Sequence, residues 1–468
     1  LKFRTDDIPG MRVTVMGLGL SGGGLESARF FARRGADVTV TDLRGEEVLA
    51  PSLEALAGLP IRYVLGRHEI DDFRSADLVI KNPAVKPDSP FLAASRRVET
   101  DLSVFLSLCR GPVLAVTGSK GKSSTAAAMH FVLRRSLPGA FLGGNIATSP
   151  LSFVDEVREE TPVVLELSSW QLGDLRGREL LRPRVAVITN ILPDHLDRYG
   201  SMEPYVADKR LVYAHQTGED HTVVSWDDPY GRSFGEETPG RAAFFSRRPL
   251  PPGTPGAFLA EGGGRSVSGE GHVLTTDGPA LIVPRELLVR GEHQRLNLLA
   301  AGLALVRFGL SPRQVAAGAA EYPGIEHRLE LCGRAGSVLF YNDSAATIPE
   351  ALTAAVKSFT TPLLLITGGT DKVLDFSVFA EAAPLPRGIF LLEGSATVKI
   401  RSLLDGMGIP YRGPYDSLEA AVRAAAEAAA PGDSVLFSPG CTSFGMFLNE
   451  FDRGRRFKDL VARLAGEA

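Results

Sequence analysis

Four apolar residues, Val113-Leu-Ala-Val116, run directly into Thr117-Gly-Ser-Lys-Gly-Lys-Ser123 and then into a helix-forming stretch from Ala126 to Leu133. A short continuous apolar run reads as a strand buried on both faces, and a strand that turns through glycines into a helix opens a parallel α/β unit. The turn also carries chemistry. Gly118 and Gly121 let the backbone wrap an anion with its N–H groups, the helix opening near Lys122 adds its positive dipole end, and the Lys122 ammonium can reach terminal phosphates. Ser123 stands where a hydroxyl would ligand magnesium. The loop reads G-x-x-G-K-S, with Val116 where the usual G-x-x-x-x-G-K-[ST] pattern has its first glycine, so the flanking strand and helix carry the assignment to ATP.

At 468 residues the chain is too long for one ordinary core, and the stretch before the loop is long enough for a complete domain. A 44% hydrophobic and 23% charged composition excludes a disordered or fibrous chain. A net charge of −4 with no dense Lys/Arg stripe gives no general affinity for polyanions, so no nucleic-acid partner is expected. No apolar run approaches the roughly 18 residues of a membrane span, and no basic-then-apolar leader is seen; a cytoplasmic protein with no membrane partner is expected. Cys109, Cys332 and Cys441 are scattered and odd in number, which favours buried thiols over a disulfide frame or a zinc site.

Three α/β stretches follow from the pattern, at 1–101, 102–322 and 323–468. In the first, Met11–Met16 reads as a strand, Gly17-Leu-Gly-Leu-Ser-Gly22 as a tight turn, Leu25 to Arg34 as a helix and Ala36 to Thr41 as a second strand. The turn satisfies G-x-G-x-x-G, and Asp42 lies where a dinucleotide-binding fold keeps its ribose-binding acid, so this unit taken alone predicts NAD. In the second, strands are expected at Pro162–Leu167 and Val185–Thr189, followed by a Gly- and Pro-rich tract from about Ser225 to Val283 that is either a linker or, preferably, a meander of hairpins. In the third, strands are expected at Ser337–Tyr341, Leu363–Thr367, Ile389–Leu392 and Ser434–Phe437, with an Ala-rich helix from Ser417 to Ala430.

Several polar residues sit at strand ends, where open parallel sheets bind ligands. Glu166 begins Glu166-Leu-Ser-Ser-Trp-Gln171, and Asp194-His195-Leu-Asp197 follows Asn190; both are expected beside the bound phosphates. Glu166 and Ser123 make a sensible oxygen pair for a first magnesium ion. By its residue type alone, Lys209 is a solvated helix lysine.

Taken together these segments resemble the Mur ligase family, ATP-dependent enzymes that join an amino acid to the peptide of a cell-wall nucleotide precursor. The resemblance rests on Gly17–Gly22 with Thr41-Asp42-Leu43-Arg44, on Thr117–Ser123, and on Gly143-Gly144-Asn145-Ile146 with Glu166–Leu172. It continues through Asn190–Arg198, Gly291–Asn297, His327-Arg328, Asn342-Asp343-Ser344 and the Ser438-Pro439 loop. It implies three domains: a Rossmann-like N-terminal domain, a central P-loop-type parallel-sheet ATPase domain and a C-terminal Rossmann-like α/β domain. It also implies addition of D-glutamate to UDP-N-acetylmuramoyl-L-alanine in peptidoglycan synthesis, by a monomer, and it replaces NAD in the first domain with the UDP group.

Residue by residue, the resemblance assigns ATP to Gly118, Ser119, Lys120, Gly121, Lys122, Ser123 and Ser124, with Gln294, Asn297, Arg328 and Asp343 around adenine, ribose and phosphates. Gly19, Leu20, Ser21, Asp42 and Arg44 would hold UDP, and Asn145, Ser168 and Gln171 the muramoyl part. Lys122, His195 and Lys209 are the implied catalytic residues. Two Mg2+ ions would be held by Ser123, Glu166, His195 and Lys209, the last as a carbamate. Thr347, Lys372, Ser443 and Phe444 would form the amino-acid pocket. The implied mechanism passes through an acyl phosphate, which water would destroy, so closure of the third domain about a hinge near 322–326 is expected. The chain departs from the family pattern at Lys120, at Ala345 and in the order Asn449-Glu450-Phe451.

Overall fold

The computed structural model describes residues 3–20, 22–146, 148–260, 269–371, 374–443 and 445–467. They form two compact units, one of residues 1–285 with 296–319 and one of residues 286–295 with 320–468.

The larger unit holds two sheets. The first is built from β1 (Arg12–Met16), β2 (Asp37–Asp42), β3 (Ile61–Leu65), β4 (Leu78–Lys81) and β5 (Val98–Glu99), all parallel, in the order β3-β2-β1-β4-β5. This is a doubly wound order, with β1 next to the strand-order reversal where such sheets take their ligands. The glycines after β1 allow the helix Gly23–Arg33 to pack tightly, since a Cβ on Gly24 would stand 2.1 Å from the carbonyl oxygen of Gly17.

The second sheet contains β6 (Val113–Thr117), β7 (Phe141–Gly144), β8 (Val163–Glu166), β9 (Val185–Ile188), β10 (His221–Ser225), β11 (Arg241–Ser246), β12 (Gly256–Leu259), β13 (Gly271–Thr275) and β14 (Gly278–Val283). Its order is β14-β13-β12-β11-β10-β9-β6-β8-β7. Every residue of β6, β8 and β9 is buried, as continuous apolar runs in a parallel sheet should be. The expected meander is half right. β10, β11 and β12 pair in parallel, with the helix Pro229–Glu237, capped by Asp228, crossing between β10 and β11; only β12, β13 and β14 run antiparallel. Parallel neighbours need such a crossover, and a Pro-initiated nine-residue helix supplies it. The Gly262–Gly264 run lies outside the described residues.

One apolar cluster runs through both sheets of this unit, from Val13, Val38 and Ile80 to Leu165, Ile188 and Tyr205. Within it the rings of Phe105 and Phe153 meet edge to face, their centroids 5.8 Å apart. Full burial of each such side chain is worth roughly 1.5–3 kcal/mol.

The smaller unit contains β15 (Glu330–Ala335), β16 (Val338–Asn342), β17 (Leu363–Thr367), β18 (Gly388–Leu392), β19 (Arg412–Tyr415) and β20 (Ser434–Phe437), in the order β15-β16-β20-β17-β18-β19. Only β15 is antiparallel to its neighbour. Side chains alternate between two apolar layers, Leu363 and Leu365 on one face and Leu364 and Ile366 on the other. The Ala-rich helix spans Leu418–Ala428, with Ser417 capping it.

Candidate active site

β6 lies between β9 and β8, so the loop after β6 is flanked by Glu166 at the end of one neighbour and by the segment leading to His195 after the other. The loop glycines are obligatory. Gly118 has φ +139°, and a Cβ there would stand 2.0 Å from the Thr189 hydroxyl oxygen; at Gly121, with φ +84°, it would stand 2.4 Å from Asn297 Oδ1. Lys122 opens the helix Lys122–Ser136, with Ser123 and Ser124 in its first turn, and its Nζ donates to the Ser119 carbonyl at 3.0 Å. Ser119 itself shapes the loop: its N–H donates to Asn190 O at 2.8 Å and its hydroxyl donates to Leu192 O at 3.0 Å, with the Tyr205 hydroxyl 2.8 Å away. The Lys120 ammonium is exposed, 3.4 Å from Asp194.

A cavity of about 360 Å3 opens beside this loop. On one side it is lined by Lys122, Asn145, Ser168, Gln171, His195 and Lys209, and on the other by Gly22, Gly23, Asn82, Pro83, Ala84 and Asp101. Six of the predicted residues therefore converge. Glu166 stands just behind, buried, with its Oε1 accepting from Asn145 Nδ2 at 3.3 Å. Ser168 and Gln171 hold each other in a capping box, which fixes the turn that carries them. His195 adopts a left-handed backbone, φ 53°, ahead of the helix Leu196–Tyr199, and its ring centroid lies 5.2 Å from that of Trp170.

Lys209 is not a solvated lysine. Only 1% exposed, it donates to the Gly118 carbonyl at 2.8 Å and lies 3.4 Å from Thr117 Oγ1. Burial, reinforced by the Lys122 cation, lowers its pKa to about 7. Tyr205, one helical turn earlier on the helix Met202–Arg210, places its ring 4.7 Å from the Lys209 ammonium. Sequence reading missed Tyr205, although its spacing of four from Lys209 marks one helix face. It also passed over Trp170, although it stands inside the Glu166–Gln171 segment, and Asp101, for which no motif gave a signal.

Of the residues expected to hold UDP, Gly19, Asp42 and Arg44 lie together after β1 and β2, and none of the three lines this cavity. Asp42 accepts from the Gly19 N–H at 3.3 Å and from the Arg44 guanidinium at 2.9 Å. Burial pushes the Asp42 carboxyl up, but the bonds from Arg44 and Gly19 outweigh it and hold it lower than usual. Leu20 is exposed, and Ser21 lies outside the described residues.

Gln294 and Asn297 are both on the helix Glu292–Phe308. In the smaller unit, Arg328 is exposed between two residues with left-handed backbones, His327 at φ 64° and Leu329 at φ 46°. Asp343 follows β16, buried, accepting from Ser438 Oγ at 2.7 Å and from the Leu329 N–H at 3.1 Å; burial drives its pKa up to about 7. Thr347 is half-buried in the following loop. Ser443 and the buried Arg453 line a cavity of about 240 Å3 beside Thr370. Lys372 and Phe444 lie outside the described residues. Among the described residues, no three His, Cys, Asp or Glu side chains are gathered to hold a metal. Of the four ligands expected from the sequence, only Glu166 and His195 are of these types.

A Gly-rich anion loop, a lysine at its helix and a carboxylate at the adjacent strand end define a nucleotide-using α/β protein. The chain matches the Mur ligase middle domain over residues 116–305 and the Mur ligase MurD-like N-terminal domain over residues 11–102, and it belongs to the Mur ligase family. It is similar to the UDP-N-acetylmuramoylalanine--D-glutamate ligase of Roseiflexus sp. (strain RS-1), 43% identical over 97% of this chain and 99% of that one. The ligase of the same name from Treponema pallidum (strain Nichols) is 39% identical over 97% and 98%. Among solved structures, the UDP-N-acetylmuramate-alanine ligase MurC of Thermotoga maritima matches with a TM-score of 0.60 at 21% identity, covering 98% of this chain and 100% of that one. MurF of Acinetobacter baumannii matches at 0.59 and 17%, covering 97% and 93%. At these identities the structural likeness speaks to the fold.

Proposed function

We infer that this chain ligates D-glutamate to UDP-N-acetylmuramoyl-L-alanine with conversion of ATP to ADP and phosphate, a step of peptidoglycan precursor synthesis carried out in the cytoplasm by a monomer. The observation that carries this reading is the convergence of Lys122, His195 and the buried Lys209 with Asn145, Ser168 and Gln171 on one cavity. We divide the chain into a Rossmann-like UDP domain at 1–101, a P-loop-type ATPase domain at 102–322 and an amino-acid domain at 323–468.

The residues fit the groups that Mur ligases use. ATP suits the loop because Gly118 and Gly121 keep the backbone bare of side chains at a helix N-terminus. Its phosphates would lie against Ser119 to Ser124, and its nucleoside against Gln294, Asn297, Arg328 and Asp343. Two magnesium ions suit the oxygen donors Ser123 and Glu166, together with His195 and Lys209 if the latter is a carbamate. A buried amine with pKa about 7 has the free base whose nitrogen would bond the carbon of carbon dioxide, and release of one N–H proton to solvent would leave the carbamate anion. When bound, the ions would supply neutralising charge to the phosphates. Activity lost in buffer stripped of carbon dioxide and restored by bicarbonate tests the carbamate.

The chain's own residues orient two anions and exclude water. Lys122 neutralises charge on the γ-phosphate while Asn145, Ser168 and Gln171 hold the sugar-linked acid so that its carboxylate attacks phosphorus. The neutral amine of glutamate, held by Thr347, Lys372, Ser443 and Phe444, then attacks the acyl phosphate carbon, and phosphate leaves as the amide forms. Gly19, Leu20, Ser21, Asp42 and Arg44 take the uridine diphosphate end. Incubation with ATP, UDP-N-acetylmuramoyl-L-alanine and D-glutamate, read by mass spectrometry, should give the glutamyl product. Phosphate release without that product contradicts the reading.

A further inference from the structure

A buried ion pair that the functional reading leaves unused links the end of a strand of the first sheet to the helix that follows β8. Lys81 ends β4 and Asp174 follows the helix Ser169–Gly173; their charged atoms are 2.8 Å apart, with side chains 5% and 10% exposed. Two charges taken out of water are a poor way to hold a merely structural interface, since an apolar pair of similar volume serves at least as well. What the pair supplies is direction. Lys81 Nζ faces the Asp174 carboxylate across the ion pair and donates to the Val85 carbonyl at 3.1 Å and the Asn82 carbonyl at 3.5 Å.

Of these three partners Asn82 itself lines the 360 Å3 cavity, and Val85 and Asp174 belong to turns whose other residues line it. Asn82 opens a tight turn in which the Val85 N–H donates to Asn82 O at 2.9 Å and the Ala84 N–H to Asn82 Oδ1 at 3.0 Å, and Asn82, Pro83 and Ala84 line the cavity. Asp174 donates its N–H to Trp170 O at 2.9 Å, and Trp170 lines the cavity between Ser168 and Gln171. One ammonium thus ties the turn of the first sheet to the turn of the second.

We propose that Lys81 and Asp174 are positioning residues whose ion pair sets the Asn82–Ala84 turn against the Ser168–Gln171 turn, and so the fit of the UDP-linked sugar acid. This rests on the functional reading above. The test is steady-state kinetics on the full chain with Asp174→Asn and with Lys81→Met/Asp174→Leu. In both, KM for UDP-N-acetylmuramoyl-L-alanine should rise about tenfold, while kcat and KM for ATP stay within about twofold. The double variant should match the unaltered protein in Tm, because no buried charge is left alone, and it decides the matter if Asp174→Asn does not fold. A folded double variant with unaltered KM for the nucleotide sugar, or a KM for ATP that climbs in parallel, overturns the proposal. So does failure of both variants to fold, which makes the pair a stability element. An unaltered protein that forms no glutamyl product overturns the functional reading instead.

Discussion

The Lys209 ammonium donates to the carbonyl oxygen of Gly118 at 2.8 Å, within the phosphate loop and shut away from water. The loop and the helix Met202–Arg210 are therefore joined through this amine as well as through the hydroxyls of Ser119 and Tyr205, and only the amine changes its charge. With a pKa of about 7 that amine is divided between its two forms near neutrality.

The pH dependence of stability follows. The ordinary lysine value of 10.5 is lowered to about 7, so between these values the unfolded chain holds a proton that the folded chain lacks. Stability from this group is complete above about 10.5 and is lost as pH falls toward about 7. The unfolding free energy of the native chain minus that of Lys209→Met should grow as pH is raised through this window, measured by urea titration. A difference that stays flat counts against a depressed amine.

Lys122→Ala removes the cation at the first helical position of the phosphate loop. Phosphate release should fall by about a thousandfold, with the thermal midpoint little changed, since positioned charge carries most of phosphoryl transfer. A loss below about tenfold would remove Lys122 from the proposed role.

Gly118→Ala puts a Cβ at φ +139° and 2.0 Å from the Thr189 hydroxyl. Backbone strain of about 1–3 kcal/mol is expected, and the displaced loop should bind ATP poorly. Calorimetric titration with ATP checks this; unaltered affinity would show that the loop does not hold the phosphates.

Much of this site was legible because strand, glycine turn and helix leave a composition signature. β9 is apolar throughout and β6 and β8 are apolar up to their last residues, Thr117 and Glu166, and Gly118 to Ser123 announce an anion loop. Lys209 and Tyr205 were opaque for a physical reason: a helix of low amphipathicity hides which face is buried, and Lys209 reads as solvent-facing until the phosphate loop is seen to cover it. The edge strands β15 and β19, Glu330–Ala335 and Arg412–Tyr415, have no apolar run to betray them. The Lys81–Asp174 pair joins residues far apart in the chain, and neither belongs to a motif. The Gly-rich pattern alone does not choose the guest of the first sheet: taken by itself it suggests NAD, while the resemblance to Mur ligases implies UDP, and a helix N-terminus holds any pyrophosphate.

Asp343 offers a test in the smaller unit. Burial raises its pKa from 3.8 to about 7, so its stabilising neutral form is complete below 3.8 and lost as pH rises toward about 7. Asp343→Asn stays neutral, with its amide oxygen free to accept from Leu329 and its NH2 able to face Ser438. The variant should gain stability over the native chain between pH 4 and pH 8, by on the order of a few kcal/mol at most, while losing activity if the carboxylate meets the nucleotide. Urea unfolding at the two pH values measures the gain; a gain of the same size at both would refute the raised pKa.

The central claim is that a sugar-linked carboxylate is phosphorylated in the cavity beside Lys122. UDP-N-acetylmuramoyl-L-alanine carrying isotopically heavy oxygen in its terminal carboxylate, turned over with ATP and D-glutamate, tests this directly. The account predicts that each phosphate released carries one oxygen from that carboxylate. Unlabelled phosphate formed in step with glutamyl product would contradict it.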